Sequence, residues 1–297
     1  MNKVSTHSVW RIAGYLAYGL VLFVLLLFAR FPADKFKQYC ENRLGGLVSD
    51  TACTIDRIEY RMPFTMIFTG IHVRSVTESR ASGLTVDRLA ISLDSLRSPE
   101  AITLAGDLYG GQMSARLAAG DLFSGKIVMN DIRLRDLNAA ALQKDLGPVD
   151  RKINGTLSVS GRYQAAVADF TGGIGEGRVE MAAGTVALLQ PVLSLSQIDF
   201  SHLSGNISYE KNRLTVKDGV LKGSDLAGDF FGEIILAKRS SQSELQMGGR
   251  LVAQAAFLQA HPQEEKMLQA VMKRYNMTAL PFRVGGTLDT PIFRLGN

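Results

Sequence analysis

The sequence predicts a mainly β protein, built on one long antiparallel sheet with a few short helices and preceded by a single N-terminal transmembrane helix. Three observations carry this expectation. From Thr51 onward, short segments rich in Val, Ile, Leu, Thr and Phe alternate with Gly, Asp, Asn and Ser, a spacing that indicates a meander of strands. A Gly-Thr-Leu phrase occurs twice, in "INGTLSVSG" at 153–161 and in the closing "LPFRVGGTLDTPIFRLGN" at 280–297. The remaining signal is "WRIAGYLAYGLVLFVLLLFAR", which carries no charge from Ile12 to Ala29, 18 residues, about what a helix needs to cross a hydrocarbon core.

The composition suits a folded chain: 297 residues, 46% hydrophobic and 21% charged. Its formal net charge of +5 is spread in ones and twos, with no run of Lys and Arg and no interleaved aromatics. Nucleic acid is therefore not expected as a partner.

Taken in order, residues 1–30 read as a short cytoplasmic tail and an uncleaved anchor. Trp10 and Tyr15 suit a membrane interface, and "LFARFPADKF" offers bulky or charged groups where a small-residue cleavage site would stand. A short tail inside and the bulk of the chain outside is the usual outcome. Residues 31–50 then predict an amphipathic helix, with Pro32 in its first turn, Phe36, Tyr39, Cys40 and Leu44 at helical spacing, and Gly45-Gly46 as a stop. Cys40 and Cys53 are the only cysteines. They read either as a disulfide closing a short loop or as two buried thiols, since spacing alone does not show that the side chains meet.

Strands are expected at 64–74, 83–94, 101–109, 111–118 and 125–135, with Tyr109-Gly110-Gly111-Gln112 as the clearest hairpin turn. "DLNAAALQKDLGP" predicts a helix capped by Asn138 and ended by Gly147-Pro148. Strands resume at 153–163, break at "DFTGGIGEGR" (169–178), which reads as a loop, and continue to Leu251. Gly172 to Gly177 is the best candidate for a boundary within 51–297. "HPQEEKMLQAVMKRY" predicts a second inserted helix with Leu268, Val271, Met272 and Tyr275 on one stripe. The last strand pair turns at Asp289-Thr290-Pro291, where a residue without an N–H suits a sheet edge.

No catalytic, cofactor-binding or metal-ligating set is expected. "GGIGEG" lacks both GxGxxG spacing and a following Lys-Ser or Lys-Thr, and GxSxG and HExxH are missing. His7, His72, His202 and His261 form no metal pattern with the cysteines. Asp218, Asp225 and Asp229 read as turn residues. What does stand out is apolar residues on both faces of several strands, Phe64, Met66 and Phe68 against Ile67, Ile71 and Val73, and the adjacent Phe230 and Phe231. A sheet with one watery face should alternate cleanly. Either ordinary two-sided packing or an apolar groove explains the blur, and Phe64, Met66, Phe68, Phe230, Phe231 and Phe282 are the candidate groove residues.

The single N-terminal span, the following "FPADKF", the repeats "INGTLSVSG" and "NRLTVKDGVLKGSDLAGDFFGEIIL", and the closing "LPFRVGGTLDTPIFRL" together resemble the general secretion pathway protein N (GspN) family of type II secretion systems. The closing phrase is also similar to the ends of the wider AsmA-like group of envelope proteins, through Gly285, Gly286, Thr287, Leu288, Pro291 and Phe293. This resemblance implies a curved sheet shaped as an apolar groove on a protein of the Gram-negative inner membrane, single-pass, with its bulk in the periplasm. It implies a non-enzymatic accessory part in protein transport, with other type II secretion subunits as partners. The AsmA-like kinship implies instead lipid binding or lipid transport, with phospholipid as ligand.

Overall fold

The structure is a computed structural model that describes residues 14–16, 18–19, 22, 33–45, 51–61, 64–76, 83–93, 101–146, 152–192, 195–237, 242–275 and 277–296. The chain forms two compact units, Met1–Cys40 and Glu41–Asn297. In the first, the described residues 14–16, 18–19 and 22 are helical, and α1 (Ala33–Gly45) begins there and runs to Gly45. Among the described residues no helix is long and apolar enough to cross a membrane. Most of the span expected at Trp10 to Arg30 lies outside the described residues. Cys40 is half-buried in α1.

The second unit is a 14-stranded antiparallel sheet whose spatial order is its sequence order. Its strands are β1 (Thr51–Arg61), β2 (Thr65–Ser75), β3 (Gly83–Leu93), β4 (Ala101–Leu108), β5 (Gly111–Ala118), β6 (Lys126–Asn138) and β7 (Ile153–Ala166), followed by β8 (Asp169–Val192), β9 (Leu195–Glu210), β10 (Arg213–Lys222), β11 (Leu226–Ile235), β12 (Glu244–Ala253), β13 (Leu280–Gly286) and β14 (Pro291–Leu295). Among the described residues the helices α2 (Ala119–Phe123), α3 (Ala139–Leu146), α4 (Ala255–Ala260) and α5 (Pro262–Tyr275) interrupt them. Cys53 is buried in β1. The sheet is open, with β1 and β14 at its edges.

The meander follows from short connections. Tyr109 and Gly110 both take positive φ, 49° and 74°, the two-residue turn whose twist matches an antiparallel pair. Because consecutive strands reverse direction, α3 and the α4–α5 pair, which each lead into an odd-numbered strand, lie at the same end of the sheet, and α2 lies at the other.

The α3 helix starts where the sequence predicts: Asn138 Oδ1 accepts a hydrogen bond from Ala141 N at 3.1 Å, satisfying an N–H that the first turn leaves orphaned. Ala139 packs in a core cluster with Met181 of β8 and Phe200 of β9. The same helix reaches β3: Tyr109 Oη donates to Asp145 Oδ2 at 2.9 Å and accepts from Thr85 N at 2.9 Å. Eight residues of helix rise about 12 Å, whereas β3 and β9 would lie about 29 Å apart in a flat sheet. The sheet is therefore curved, with α3 inside the bend. A second cluster, Phe257, Leu268 and Leu280, packs α4 and α5 against the start of β13, with Met272 beside it.

One expectation fails outright. The segment 169–178 is the first part of β8 and no loop, and no boundary falls at Gly172 to Gly177. Glycine here serves close approach: a β-carbon on Gly177 would stand 2.3 Å from Ser160 O, and one on Gly173 would stand 2.4 Å from Tyr163 Oη. Asp218 and Asp229 are likewise strand residues, of β10 and β11, and only Asp225 lies in a connection.

Candidate functional site

Directly paired residues on neighbouring strands project to the same side of a sheet, so the pairing register assigns the faces. One transverse row runs Leu89, Gly106, Met113, Leu134, Val159, Val179. Another runs Leu117, Met129, Tyr163, Gly175, Tyr209, Leu214 and on to Ile234 and Leu245. A third links Ile207, Val216, Gly232, Met247, Val284 and Phe293. Every member is apolar, aromatic or glycine. At the end that carries the helices, Leu157, Met181, Leu203 and Leu221 continue this face, and α3 packs onto it. The apolar face is thus the one on the inside of the bend. Away from the helices its side chains are half-buried: Met129, Val159, Val179, Val216, Met247 and Val284 are neither sealed nor fully open.

Bulges keep that face apolar, three of them at aspartates. Met129 and Leu134 are five residues apart and would point to opposite sides of a regular strand, yet both join apolar rows. The register shifts between Met129 and Ile132, around Asp131 (φ 51°), shifts again between Leu134 and Leu137, around Asp136 (φ 57°), and shifts a third time between Val216 and Gly219, around Asp218 (φ 50°). Aspartate tolerates the left-handed region better than a bulky residue, and each bulge also sharpens the local twist and bend. The bulges therefore set both the face and its curvature.

Toward the end opposite α3, two tyrosines lie across β8. Tyr163 and Tyr209 flank Gly175, with ring centroids 6.1 Å apart. Their hydroxyls donate to Phe170 O and Thr171 O. Burial, reinforced by the neighbouring Tyr209, pushes the Tyr163 phenol up from its ordinary value.

The opposite face is polar. It carries the ion pairs Arg162–Glu176 at 2.5 Å, Arg178–Glu180 at 2.7 Å, Arg213–Glu233 at 2.6 Å and Arg250–Asp229 at 2.7 Å. Hydrogen bonds from Arg250 hold the Asp229 carboxyl below the usual carboxylate range.

The six candidate groove residues do not share one face. Phe68 is buried and pairs with Leu89, Met66 pairs with Ile91, and Phe230 and Phe282 both pair with Gly249, so these four belong to the apolar side. Phe282 stacks on Phe293, ring centroids 5.5 Å apart. Phe64 sits in the β1–β2 turn. Phe231 pairs with Gly248 on the polar face and is 60% exposed. In the closing phrase, Gly285 and Gly286 end β13, Leu288 N donates to Ser243 O, Thr290 N donates to Thr287 Oγ1, and Pro291 opens the edge strand. Gly286 takes φ 87°, and a β-carbon there would meet Thr290 O at 2.6 Å.

The sequence reading did not single out Met129, Val159, Tyr163, Val216 or Met247. Their apolar alternation is legible strand by strand, but the bulges that align one strand with the next carry no signal stronger than an Asp inside an apolar run. Among the described residues no group of three or more His, Cys, Asp and Glu side chains gathers where a metal could bind. Fold and faces together define an open antiparallel meander with a curved apolar inner surface and a charged outer one. Comparison with protein-family models, with curated proteins and with solved structures finds no match to this chain.

Proposed function

We propose that this is a non-enzymatic, membrane-anchored protein of the Gram-negative envelope whose sheet holds phospholipid acyl chains along its apolar face. The observation that carries the reading is the set of apolar rows from β3 to β14 left half-open between the helical plug at one end and the far turns. Such a surface is costly in water, and an acyl chain laid on it gains about 0.8 kcal/mol per buried CH₂. The apolar run at 12–29 supplies the anchor, and the resemblance to the secretion and AsmA-like families supplies an inner-membrane, periplasm-facing setting beside type II secretion.

A second reading, contact with other type II secretion subunits, is favoured by the open edges β1 and β14. An unpaired edge offers backbone groups to which a partner's strand can add.

The deciding experiment is phospholipid mass spectrometry on the full chain, purified in a detergent that is then exchanged away. Phospholipid retained in stoichiometric amount is expected. A folded protein that carries none would overturn the acyl-chain reading and turn attention to the edges, where the matching test is whether deletion of the chain impairs export and whether pull-downs recover secretion subunits.

A further inference from the structure

The polar face changes character over β11–β14. There a concavity of ≈ 810 Å³ is lined by Phe231, Gly248, Arg283, Gly285, Ile292 and Arg294, among others. Arg283 and Arg294 stand directly opposite each other on β13 and β14, a like-charge pair, and the same row continues through Gly248 to Phe231. Like charges placed opposite one another are destabilising unless something else neutralises them. The nearby carboxylates are already engaged: Asp229 pairs with Arg250 at 2.7 Å and Glu233 with Arg213 at 2.6 Å. Glu244 and Asp289 lie toward the turn end of these strands, at the start of β12 and in the β13–β14 connection. Beside the arginines, Phe231 is 60% and Ile292 53% exposed.

The floor between them is bare for no reason internal to the fold. A β-carbon on Gly248 would come no closer than 3.5 Å to another atom, and one on Gly285 no closer than 3.8 Å, and neither residue takes a positive φ. Glycine weakens a strand interior, so two glycines that neither packing nor conformation demands keep space open over the sheet.

We propose that this concavity seats the phosphate headgroup of an anionic phospholipid at a bilayer surface. Arg283 and Arg294 hold the phosphate by charge-assisted hydrogen bonds, for which the planar guanidinium is well matched. Gly248 and Gly285 admit the glycerol region, and Phe231 and Ile292 enter the boundary between headgroups and acyl chains. This goes beyond the acyl-chain reading, because it concerns the opposite face and either can fail without the other.

The test uses the full chain held in phosphatidylcholine nanodiscs and floated with vesicles of phosphatidylcholine alone or mixed with phosphatidylglycerol. Recruitment by the phosphatidylglycerol vesicles only, weakening with salt, is expected. R283Q/R294Q should lower that affinity about thirtyfold, the worth of two cations at an anionic surface, while lipid retained on the apolar face stays unchanged. G285V, whose β-carbon would come no closer than 3.8 Å to another atom, should also lose recruitment with its melting temperature intact. Recruitment that ignores vesicle charge, or that survives both variants, overturns the proposal. So does displacement of the vesicles by inorganic phosphate at physiological concentration, which would mark a site for free anions, or by polyglutamate, which would mark one for acidic peptides.

Discussion

Val159 and Ser160 are neighbours on β7 that face opposite ways: Val159 pairs with Leu134 and Val179, and Ser160 pairs with Arg133 and Arg178. The same substitution at each separates the two faces. In Val159→Asp, an acyl chain crossing β7 must cover a carboxyl. Val159 is already half-buried, so lipid covers roughly the other half of its side chain, about 1 kcal/mol of lost apolar contact. A covered carboxyl must also take up a proton, and at pH 7 that costs about 4 kcal/mol from an ordinary pKa near 4. A chain that skirts the site instead forfeits its contacts with the adjacent strands, about 1 to 2 kcal/mol, so about fivefold is the smallest loss of affinity the geometry allows. Ser160→Asp places its charge between two arginines and should leave lipid retention unchanged. The assay is phospholipid retained per protein after detergent exchange, with thermal melting to show that both variants fold. Lowering the pH toward 4 should restore binding to Val159→Asp by protonating it. Equal retention by the two variants, or equal loss, would refute the assignment of the faces.

Other expectations concern the frame. Tyr109→Phe leaves Thr85 N without its acceptor and Asp145 without its donor, and should cost about 1–3 kcal/mol in thermal or urea melts; an unchanged midpoint would mean that α3 is not latched through this residue. Burial raises the Tyr109 pKa from 10.0 to about 12. The fold therefore favours the neutral phenol, a contribution present in full below pH 10 and lost as pH rises toward 12, and Tyr109→Phe should flatten that alkaline loss. For Gly177→Ala, the β-carbon 2.3 Å from Ser160 O must move backbone, and about 1–3 kcal/mol of destabilisation is expected, whereas a flexible loop at 169–178 would absorb the change with no shift in melting temperature. The lowered pKa of Asp229 gives a contribution that is present above the ordinary carboxylate pKa and lost as pH falls through the folded one. Asp229→Asn should thus match the wild type in acid and fall slightly below it at neutral pH, an exposed pair being worth little; a larger difference in acid than at neutral pH would contradict that sign.

Much of the fold is legible in the chain because its causes are local. Period-two alternation and turn residues locate β2 to β7 within a few residues, Asn138 marks the start of α3, and the 261–275 stripe marks α5, with Leu268 and Met272 in its core cluster. Where the reading failed, the cause was a contact distant in sequence. The glycines at 172–177 look like a loop from within the segment, but Gly173 and Gly177 leave room for Tyr163 and Ser160 of the preceding strand. Strand alternation alone puts Phe230 and Phe231 on opposite faces, but only the pairings with Gly249 and Gly248 decide that Phe230 takes the apolar side and Phe231 the polar one.

The sequence by itself determined that this chain is a β meander with helical insertions, and that a long uncharged run stands before it, because propensity, alternation and turn chemistry act over a few residues. Only the tertiary structure decided which residues share a face and how far the sheet bends. Each register shift at Asp131, Asp136 and Asp218 moves every later side chain of its strand to the other side. The bend is closed by α3, which touches β3 and the β8–β9 region at once, a contact that exists only when strands far apart in the chain have already paired.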